Sequence, residues 1–158
     1  MSRTLTVYFS PGGNTAKLAK AVAKVSESEL FEIKPRDPYT PGDIKWTNPL
    51  ARCNKEKLGK KDVPIEGTVE NFGDFDTVFI GFPIWYYGAP NIISTFVKSY
   101  SWEGKKVALF ATSGGSDIGR TAEKLLPCFN GNGEIKAAKV FRPSENGEAV
   151  RTWVMGIL

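Results

Sequence analysis

Apolar residues follow two alternating patterns along the chain. Runs that are apolar almost throughout, such as Thr77-Val78-Phe79-Ile80, are typical of strands with both faces buried. Other segments repeat apolar residues at helical spacing, such as Ile92, Ile93, Phe96 and Val97. We predict strands at 4–10, 29–34, 76–82, 106–112 and 134–141, and helices at 14–26, 90–101, 117–129 and 145–157. This alternation predicts an α/β fold with a parallel sheet wrapped by helices on both sides.

One connection is much longer than the others. About forty residues, at about 35–75, separate the second and third predicted strands, where one helix would suffice. We expect a short second helix there, flanked by long surface connections, within a single domain that spans 1–158. The segment also carries a basic cluster, which we interpret as a solvated face because most charge runs are solvated: Arg52, Lys55, Lys57, Lys60 and Lys61.

Composition and charge narrow the class of protein. The chain has 158 residues, of which 41% are hydrophobic and 24% charged, as in ordinary globular domains. No apolar run reaches membrane-spanning length and the N-terminus has no signal-peptide layout, so we expect no membrane insertion. With only Cys53 and Cys128 and no His, we expect neither a disulfide framework nor a metal site, and a reducing cytoplasmic setting fits best. A net charge of +4 without interleaved aromatics does not indicate nucleic-acid binding.

The turn after the first strand is rich in glycine and in side chains that can donate hydrogen bonds. It reads Ser10-Pro11-Gly12-Gly13-Asn14-Thr15 and leads directly into a helix. A helix N-terminus presents unpaired N–H groups that attract anions, and glycines let the backbone approach a phosphate closely. Neither the Walker pattern nor Gly-x-Gly-x-x-Gly is present. Taken alone, the turn is equally consistent with a phosphate site and with a plain strand-to-helix turn capped by Asn14.

Two more unusual loops follow the strands at 76–82 and 106–112. One reads Gly81-Phe82-Pro83-Ile84-Trp85-Tyr86-Tyr87-Gly88-Ala89-Pro90, and the other reads Thr112-Ser113-Gly114-Gly115-Ser116-Asp117-Ile118-Gly119. Ligands of open parallel sheets bind at the carboxyl ends of the strands, where all three loops are expected. The loops offer phosphate donors, aromatic rings and backbone amides, respectively. Flavin mononucleotide (FMN), with a phosphate at one end and a flat ring with a polar edge at the other, would use all three.

These three stretches closely resemble the cofactor loops of the flavodoxin family, and the resemblance covers essentially the whole chain. The branch with a Pro-Ile-Trp-Trp/Tyr second loop is the most similar. The resemblance implies a three-layer α/β/α sandwich with a five-stranded parallel sheet of order 2-1-3-4-5, and non-covalently bound FMN. By position it implies phosphate contacts from Ser10, Gly12, Asn14, Thr15 and Ala16. It implies ring contacts from Pro83, Ile84, Trp85, Tyr86 and Gly88, and contacts to the pyrimidine edge and ribityl chain from Thr112, Ser113, Gly114, Gly115 and Ile118.

The sequence departs from the family pattern at two points. Gly12 stands where family members usually carry a hydroxyl residue, and the isoelectric point near 9.0 contrasts with the acidic character of flavodoxins. The resemblance implies a carrier of single electrons at low potential, with a flavoprotein reductase or another low-potential donor and an acceptor enzyme as partners. The alternative is an NAD(P)H-dependent FMN or quinone reductase on the same fold. Trp85 or Tyr86 covering the ring would favour the carrier, and a basic pocket supplied by the 35–75 segment would favour the reductase.

Overall fold

Strands and helices alternate along the chain, as predicted. The computed structural model describes residues 3–45, 47–48, 50–59, 63–85, 88–113, 118, 121–142 and 147–158. The strands are β1 (Thr4–Tyr8), β2 (Glu29–Glu32), β3 (Lys34–Pro35), β4 (Ile65–Glu66), β5 (Thr77–Pro83), β6 (Lys106–Thr112) and β7 (Glu134–Phe141). The α-helices are α1 (Asn14–Ser26), α2 (Arg52–Gly59), α3 (Asn91–Lys98), α4 (Thr121–Leu125) and α5 (Gly147–Ile157). Short 3₁₀ helices occupy Phe72–Asp74 and Leu126–Phe129.

Five strands form one parallel sheet in the order β2-β1-β5-β6-β7. Counting only these five strands along the chain, the order is 2-1-3-4-5, so the predicted fold class is confirmed. The register pairs Tyr8 with Gly81 and Pro83 with Thr112. The carboxyl ends of β1, β5 and β6 therefore meet at one edge of the sheet, which is where the three unusual loops begin.

The sheet has a helical layer on each face. Along β1, Leu5 and Val7 point to one face and Tyr8 points to the other, as the alternation of side chains in a strand requires. The face of Leu5 and Val7 is covered by α3 and by the 3₁₀ helix at 126–129. The opposite face is covered by α1 and α5. Full burial of each large apolar side chain contributes about 1.5–3 kcal/mol, so the two apolar cores stabilise the sheet from both sides.

Several predicted boundaries were wrong by a few residues. The strand predicted at 29–34 ends at Glu32, and Lys34–Pro35 pairs instead with Ile65–Glu66 in a separate antiparallel sheet. The helix predicted at 90–101 ends at Lys98, and the indole N–H of Trp102 donates to the carbonyl of Val97 at that end. Of the helix predicted at 117–129, only Thr121–Leu125 is α-helical among the described residues. It ends at Leu125 because Pro127 has no N–H with which to continue it.

The long connection contains more than surface loops. It includes the predicted second helix, α2, and it contributes buried side chains such as Cys53, Val63 and Phe72. Hydrogen bonds between described residues tie it to α3. The N–H of Val63 donates to Thr95 Oγ1 over 3.1 Å, and Asn91 Nδ2 donates to the carbonyl of Glu56 over 2.6 Å.

Two further observations concern the cysteines and the length of the helices. Cys53 and Cys128 are not joined in a disulfide bond, and Cys53 is buried. Among the residues described above, no helix combines the length and the apolar character needed to cross a membrane.

Gly81 provides a test of the packing within the sheet. A Cβ at this buried position would lie 2.1 Å from Cε2 of Phe110, so Gly81→Ala forces the aromatic ring or the strand to move. We expect a loss of about 1–3 kcal/mol in the free energy of unfolding, measured by urea denaturation. Gly156→Ala in α5 is the matched control, because a Cβ there meets nothing within 4 Å. Equal stability of the two variants would contradict this account.

Candidate functional site

The first loop joins β1 to α1. Gly13 precedes the helix with φ of +91°, a left-handed conformation that glycine adopts without strain. The cap residue is Gly13, which has no side chain to cap the helix, so the interpretation of this turn as one capped by Asn14 is wrong. Ser10 instead shapes the loop, because its Oγ accepts a hydrogen bond from the N–H of Ala16 over 2.9 Å.

Four consecutive amides of this loop have no partner in the part of the chain that the structure describes. The N–H groups of Gly12, Gly13, Asn14 and Thr15 donate to no atom of the described residues. Gly12, Gly13 and Asn14 are exposed, and the first turn of α1 contains no acidic residue. Together with the helix dipole, these donors make the loop suited to an anion held by neutral groups.

The second loop connects β5 to α3. Trp85 and Gly88 exchange backbone hydrogen bonds of 2.8 and 3.1 Å, which hold the two ends of the loop together. The N–H of Ile84 donates to the carbonyl of Thr112 over 3.1 Å and so attaches this loop to the end of β6. Pro83, Ile84 and Trp85 are half-buried, whereas Gly88 is buried. The predicted residue Tyr86 lies outside the described residues.

The third loop follows β6, and three of its five predicted residues are described. Thr112 and Ser113 are half-buried at the end of the strand. Ile118 packs against the apolar core, and its carbonyl accepts hydrogen bonds from the N–H and the hydroxyl of Thr121. Gly114 and Gly115 lie outside the described residues.

Direct contacts bring the three loops together. Thr15, only 2% exposed, shares a hydrogen bond of 2.8 Å with Thr112 through their hydroxyl groups, which joins the first loop to the third. The ring of Phe9, at the end of β1, meets the ring of Trp85 edge to face with centroids 5.7 Å apart. The described site residues from the three loops therefore share one edge of the sheet.

Tyr39 is a residue of this region that the sequence did not reveal. Its ring packs edge to face against Phe9, with centroids 5.4 Å apart, and against Trp85, with centroids 5.7 Å apart. The three rings form a closed aromatic cluster between the first and second loops. Tyr39 belongs to the long connection, where no periodic pattern marks a buried face. The only available signal was an aromatic residue between Pro38 and Pro41.

Two charged residues of α2 hold Tyr39. Its hydroxyl donates to the carboxylate of Glu56, and the guanidinium carbon of Arg52 lies 4.0 Å from its ring centroid. Arg52 Nε also pairs with Glu56 over 3.0 Å. Burial, followed by the hydrogen bond to Glu56, raises the pKa of Tyr39 well above its usual value. The interpretation of the basic cluster as a solvated face is therefore wrong for Arg52. Lys55 is exposed, while Lys60, Lys61 and the side chain of Lys57 are outside the described part of the chain.

Comparison with known proteins identifies the family. The family model described as Flavodoxin matches residues 3–157. The chain belongs to the flavodoxin family. The crystal structure of a candidate flavoprotein from Bacteroides eggerthii DSM 20697 is similar, with 37% sequence identity, a TM-score of 0.90 and coverage of 99% of this chain and 98% of that one. A second candidate flavoprotein, from Bacteroides uniformis ATCC 8492, has 34% identity, a TM-score of 0.89 and coverage of 98% of both chains.

A more distant relative shares the fold. The crystal structure of a flavoprotein in complex with FMN from Lactobacillus acidophilus NCFM has 23% identity and a TM-score of 0.68, and the match covers 89% of this chain and 93% of that one. A comparison with curated proteins gives no match.

A pocket of about 240 Å³ lies beside the first loop of this flavodoxin-family chain, at the ends of β1 and β2. Its charged lining residues are Glu32, Lys34 and Glu66, so its described lining is not basic. Burial, with a smaller contribution from Glu32, raises the pKa of the neighbouring Tyr8. Tyr39 is shared between this pocket and the aromatic cluster, and the remaining lining residues are Phe9, Ser10, Pro11, Ile33, Pro35 and Pro38.

The hydroxyl pair of Thr15 and Thr112 can be tested by a double-mutant cycle. Thr15→Val or Thr112→Val alone leaves a hydroxyl without its partner and is expected to cost about 1–3 kcal/mol of unfolding free energy. Replacing both residues removes the unpaired hydroxyl, so the double variant is expected to lose less than the two single losses combined. Thermal or urea unfolding of the protein without ligand measures all three. Strictly additive losses would show that the two hydroxyls do not stabilise each other.

Proposed function

We propose that this protein binds FMN non-covalently and carries single electrons at low potential. The observation that carries the proposal is the row of amides from Gly12 to Thr15 that have no partner among the described residues, at the edge of the sheet where the three loops of this flavodoxin-family chain meet. The flavoprotein from Lactobacillus acidophilus NCFM, which shares the fold, was crystallised in complex with FMN. When bound, FMN supplies the redox chemistry, because its ring accepts and releases electrons one at a time.

The residues of the first loop fit the phosphate of FMN. The amides of Gly12, Gly13, Asn14 and Thr15 are free to donate, and the side chain of Asn14 is exposed beside them. Ser10 keeps its own hydroxyl proton available, because its Oγ accepts the bond from Ala16. A dianionic phosphate would be held by neutral donors and by the positive end of α1.

The second and third loops fit a flat ring with a polar edge. Pro83, Ile84, Trp85 and Gly88 would border the ring, and Thr112, Ser113 and Ile118 would meet its pyrimidine edge and the ribityl chain. Tyr86, Gly114 and Gly115 are assigned to the same roles by position alone. These are the contacts that we propose, and no metal and no catalytic side chain is required.

The charges around the site favour a low potential. Among the described residues, the cation of the aromatic cluster is Arg52, and its charge is offset by Glu56 at 3.0 Å. The apolar walls and the neutral phosphate donors would not compensate negative charge added to the ring, because burying such a charge is costly. Electrons would therefore enter only from a strong donor.

The alternative function, an NAD(P)H-dependent FMN or quinone reductase, has less support. It would need a site for the phosphates of the nicotinamide cofactor, which basic residues usually provide. The pocket beside the first loop has two carboxylates and one ammonium group in its described lining. Trp85, held by Phe9 and Tyr39, would also cover the face that a nicotinamide must approach.

The proposal extends to partners and location. We propose a flavoprotein reductase or another low-potential donor as the source of electrons and an acceptor enzyme as their destination, in the cytoplasm. The basic character of the chain, with an isoelectric point near 9.0, suits partners whose docking surfaces are acidic.

Discrimination between FMN and riboflavin tests the phosphate site. FMN is expected to bind far more tightly, because riboflavin lacks the phosphate. Asn14→Ala is expected to weaken FMN binding roughly tenfold and to leave riboflavin binding unchanged.

Gly12→Ser is expected to strengthen FMN binding, because a Cβ there lies 3.9 Å from its nearest neighbour and the added hydroxyl can donate. Quenching of flavin fluorescence measures each dissociation constant. Equal affinity of the wild type for FMN and riboflavin would contradict the assignment.

Anaerobic reduction separates the carrier from the reductase. The FMN-loaded protein is expected to accept electrons from a flavoprotein reductase in two resolved one-electron steps and to react only very slowly with NADPH alone. Trp85→Ala is expected to weaken FMN binding and to make the second electron easier to add, because water then reaches the ring. Stopped-flow absorbance and a potentiometric titration measure these properties. Complete bleaching by NADPH within seconds would favour the reductase.

A further inference from the structure

Trp85 depends on its neighbours for its orientation. It lies in a loop whose backbone is fixed at its ends by the hydrogen bonds with Gly88, but these bonds do not set the angle of the indole. The indole meets two rings edge to face, at 84° to Phe9 and at 71° to Tyr39. Phe9 is 2% exposed and belongs to the core beneath β1, so its position is set by the sheet. Of the two rings that contact the indole, Tyr39 is the one that comes from the long connection.

Tyr39 is held at three places. Arg52 Nη1 donates to the carbonyls of Asp37 and Pro38 over 2.6 and 3.3 Å, which fixes the backbone just before the ring. The guanidinium of Arg52 covers the ring face, and the carboxylate of Glu56 accepts from the hydroxyl. We call Tyr39, Arg52 and Glu56 the Tyr39 lock.

The Tyr39 lock is tied to the frame that carries Trp85. Asn91 is the first residue of α3, which follows the second loop, and its Nδ2 donates to the carbonyl of Glu56 over 2.6 Å. The lock and the indole are thus joined through α3 as well as through the ring contact. A side chain that only filled space would not need a fixed hydroxyl, a stacked cation and a clamped backbone.

We propose that Tyr39 is a positioning residue for Trp85, and that the Tyr39 lock thereby sets how tightly the site binds the flavin ring. The proposal rests on the proposed FMN function. It adds Tyr39, from the long connection between β2 and β5, to the residues that shape the site. Tyr39 acts through the indole, so its effect on binding depends on the presence of Trp85.

Two measurements test this role. The first uses the protein without ligand: the indole N–H resonance of Trp85 is assigned in a ¹H–¹⁵N spectrum by its loss in Trp85→Phe. Tyr39→Ala is expected to shift this resonance and to leave those of Trp102 and Trp153 in place. Tyr39→Phe, which keeps the ring but loses the bond to Glu56, is expected to shift it by a smaller but measurable amount. The second is the dissociation constant for FMN. Tyr39→Ala is expected to weaken binding about as much as Trp85→Ala does, by roughly tenfold, and the double variant is expected to be no weaker than the weaker single variant.

Tyr100→Ala is the matched control. Tyr100 is also a half-buried tyrosine in an aromatic cluster, packed on Phe72 at 4.4 Å and on Phe96 at 4.9 Å, outside the three loops. Its removal is expected to lower the unfolding temperature without changing the Trp85 resonance or FMN affinity. If Tyr39→Ala does not fold, Tyr39→Leu, which keeps apolar bulk without an aromatic ring, replaces it in both measurements.

The outcomes separate this proposal from the proposed function. An unshifted Trp85 resonance in Tyr39→Ala, or losses of FMN affinity that multiply in the double variant, overturns the positioning role while FMN binding stands. A wild type that does not bind FMN overturns the proposed function and the effect of Tyr39 on binding. In that case the spectrum of the ligand-free protein still decides whether Tyr39 positions the indole.

Discussion

Parallel pairing of β1, β5 and β6 in a fixed register is the constraint on which the site depends. Because Tyr8 pairs with Gly81 and Pro83 with Thr112, three chain segments far apart in sequence leave the sheet at one edge. The register is stable because both faces of these strands are buried, and a slip by one residue would exchange the two cores. The loops then need only short contacts to join, such as the hydroxyl pair of Thr15 and Thr112 at 2.8 Å.

The long connection adds a second kind of organisation, based on aromatic and charged contacts. Arg52 would be expected to lie in water, yet it stacks on Tyr39 and pairs with Glu56. The pair places a basic residue next to the aromatic cluster without adding net charge there. The chain is basic as a whole, with a net charge of +4, but the described part of the aromatic cluster is electrically balanced. Overall charge and local charge are therefore separate properties of this fold.

The sequence predicted features that repeat or that lie close together in the chain. Buried strands and amphipathic helices follow from periodicity, and the sheet order followed from the resemblance of three loops to one family. Tyr39 could not be found in this way, because its partners Phe9 and Trp85 are distant in sequence and its own segment has no period. The end of α4 was missed for a local reason, the absent N–H of Pro127, which a closer reading of proline positions would have found.

The first loop shows how function and stability compete within a few residues. A Ser, Thr, Asp or Asn at the cap of α1 would bond to the amide of the second or third helical residue and would typically stabilise the helix by about 0.5–2 kcal/mol. Gly13 occupies the cap position with φ of +91°, which those residues adopt only with strain. The third helical amide, that of Ala16, is satisfied from a distance by Ser10, so the loop keeps its shape. Among the described residues, the amides before it have no partner. An anion that binds the loop would accept hydrogen bonds from these amides and would thereby stabilise the folded protein.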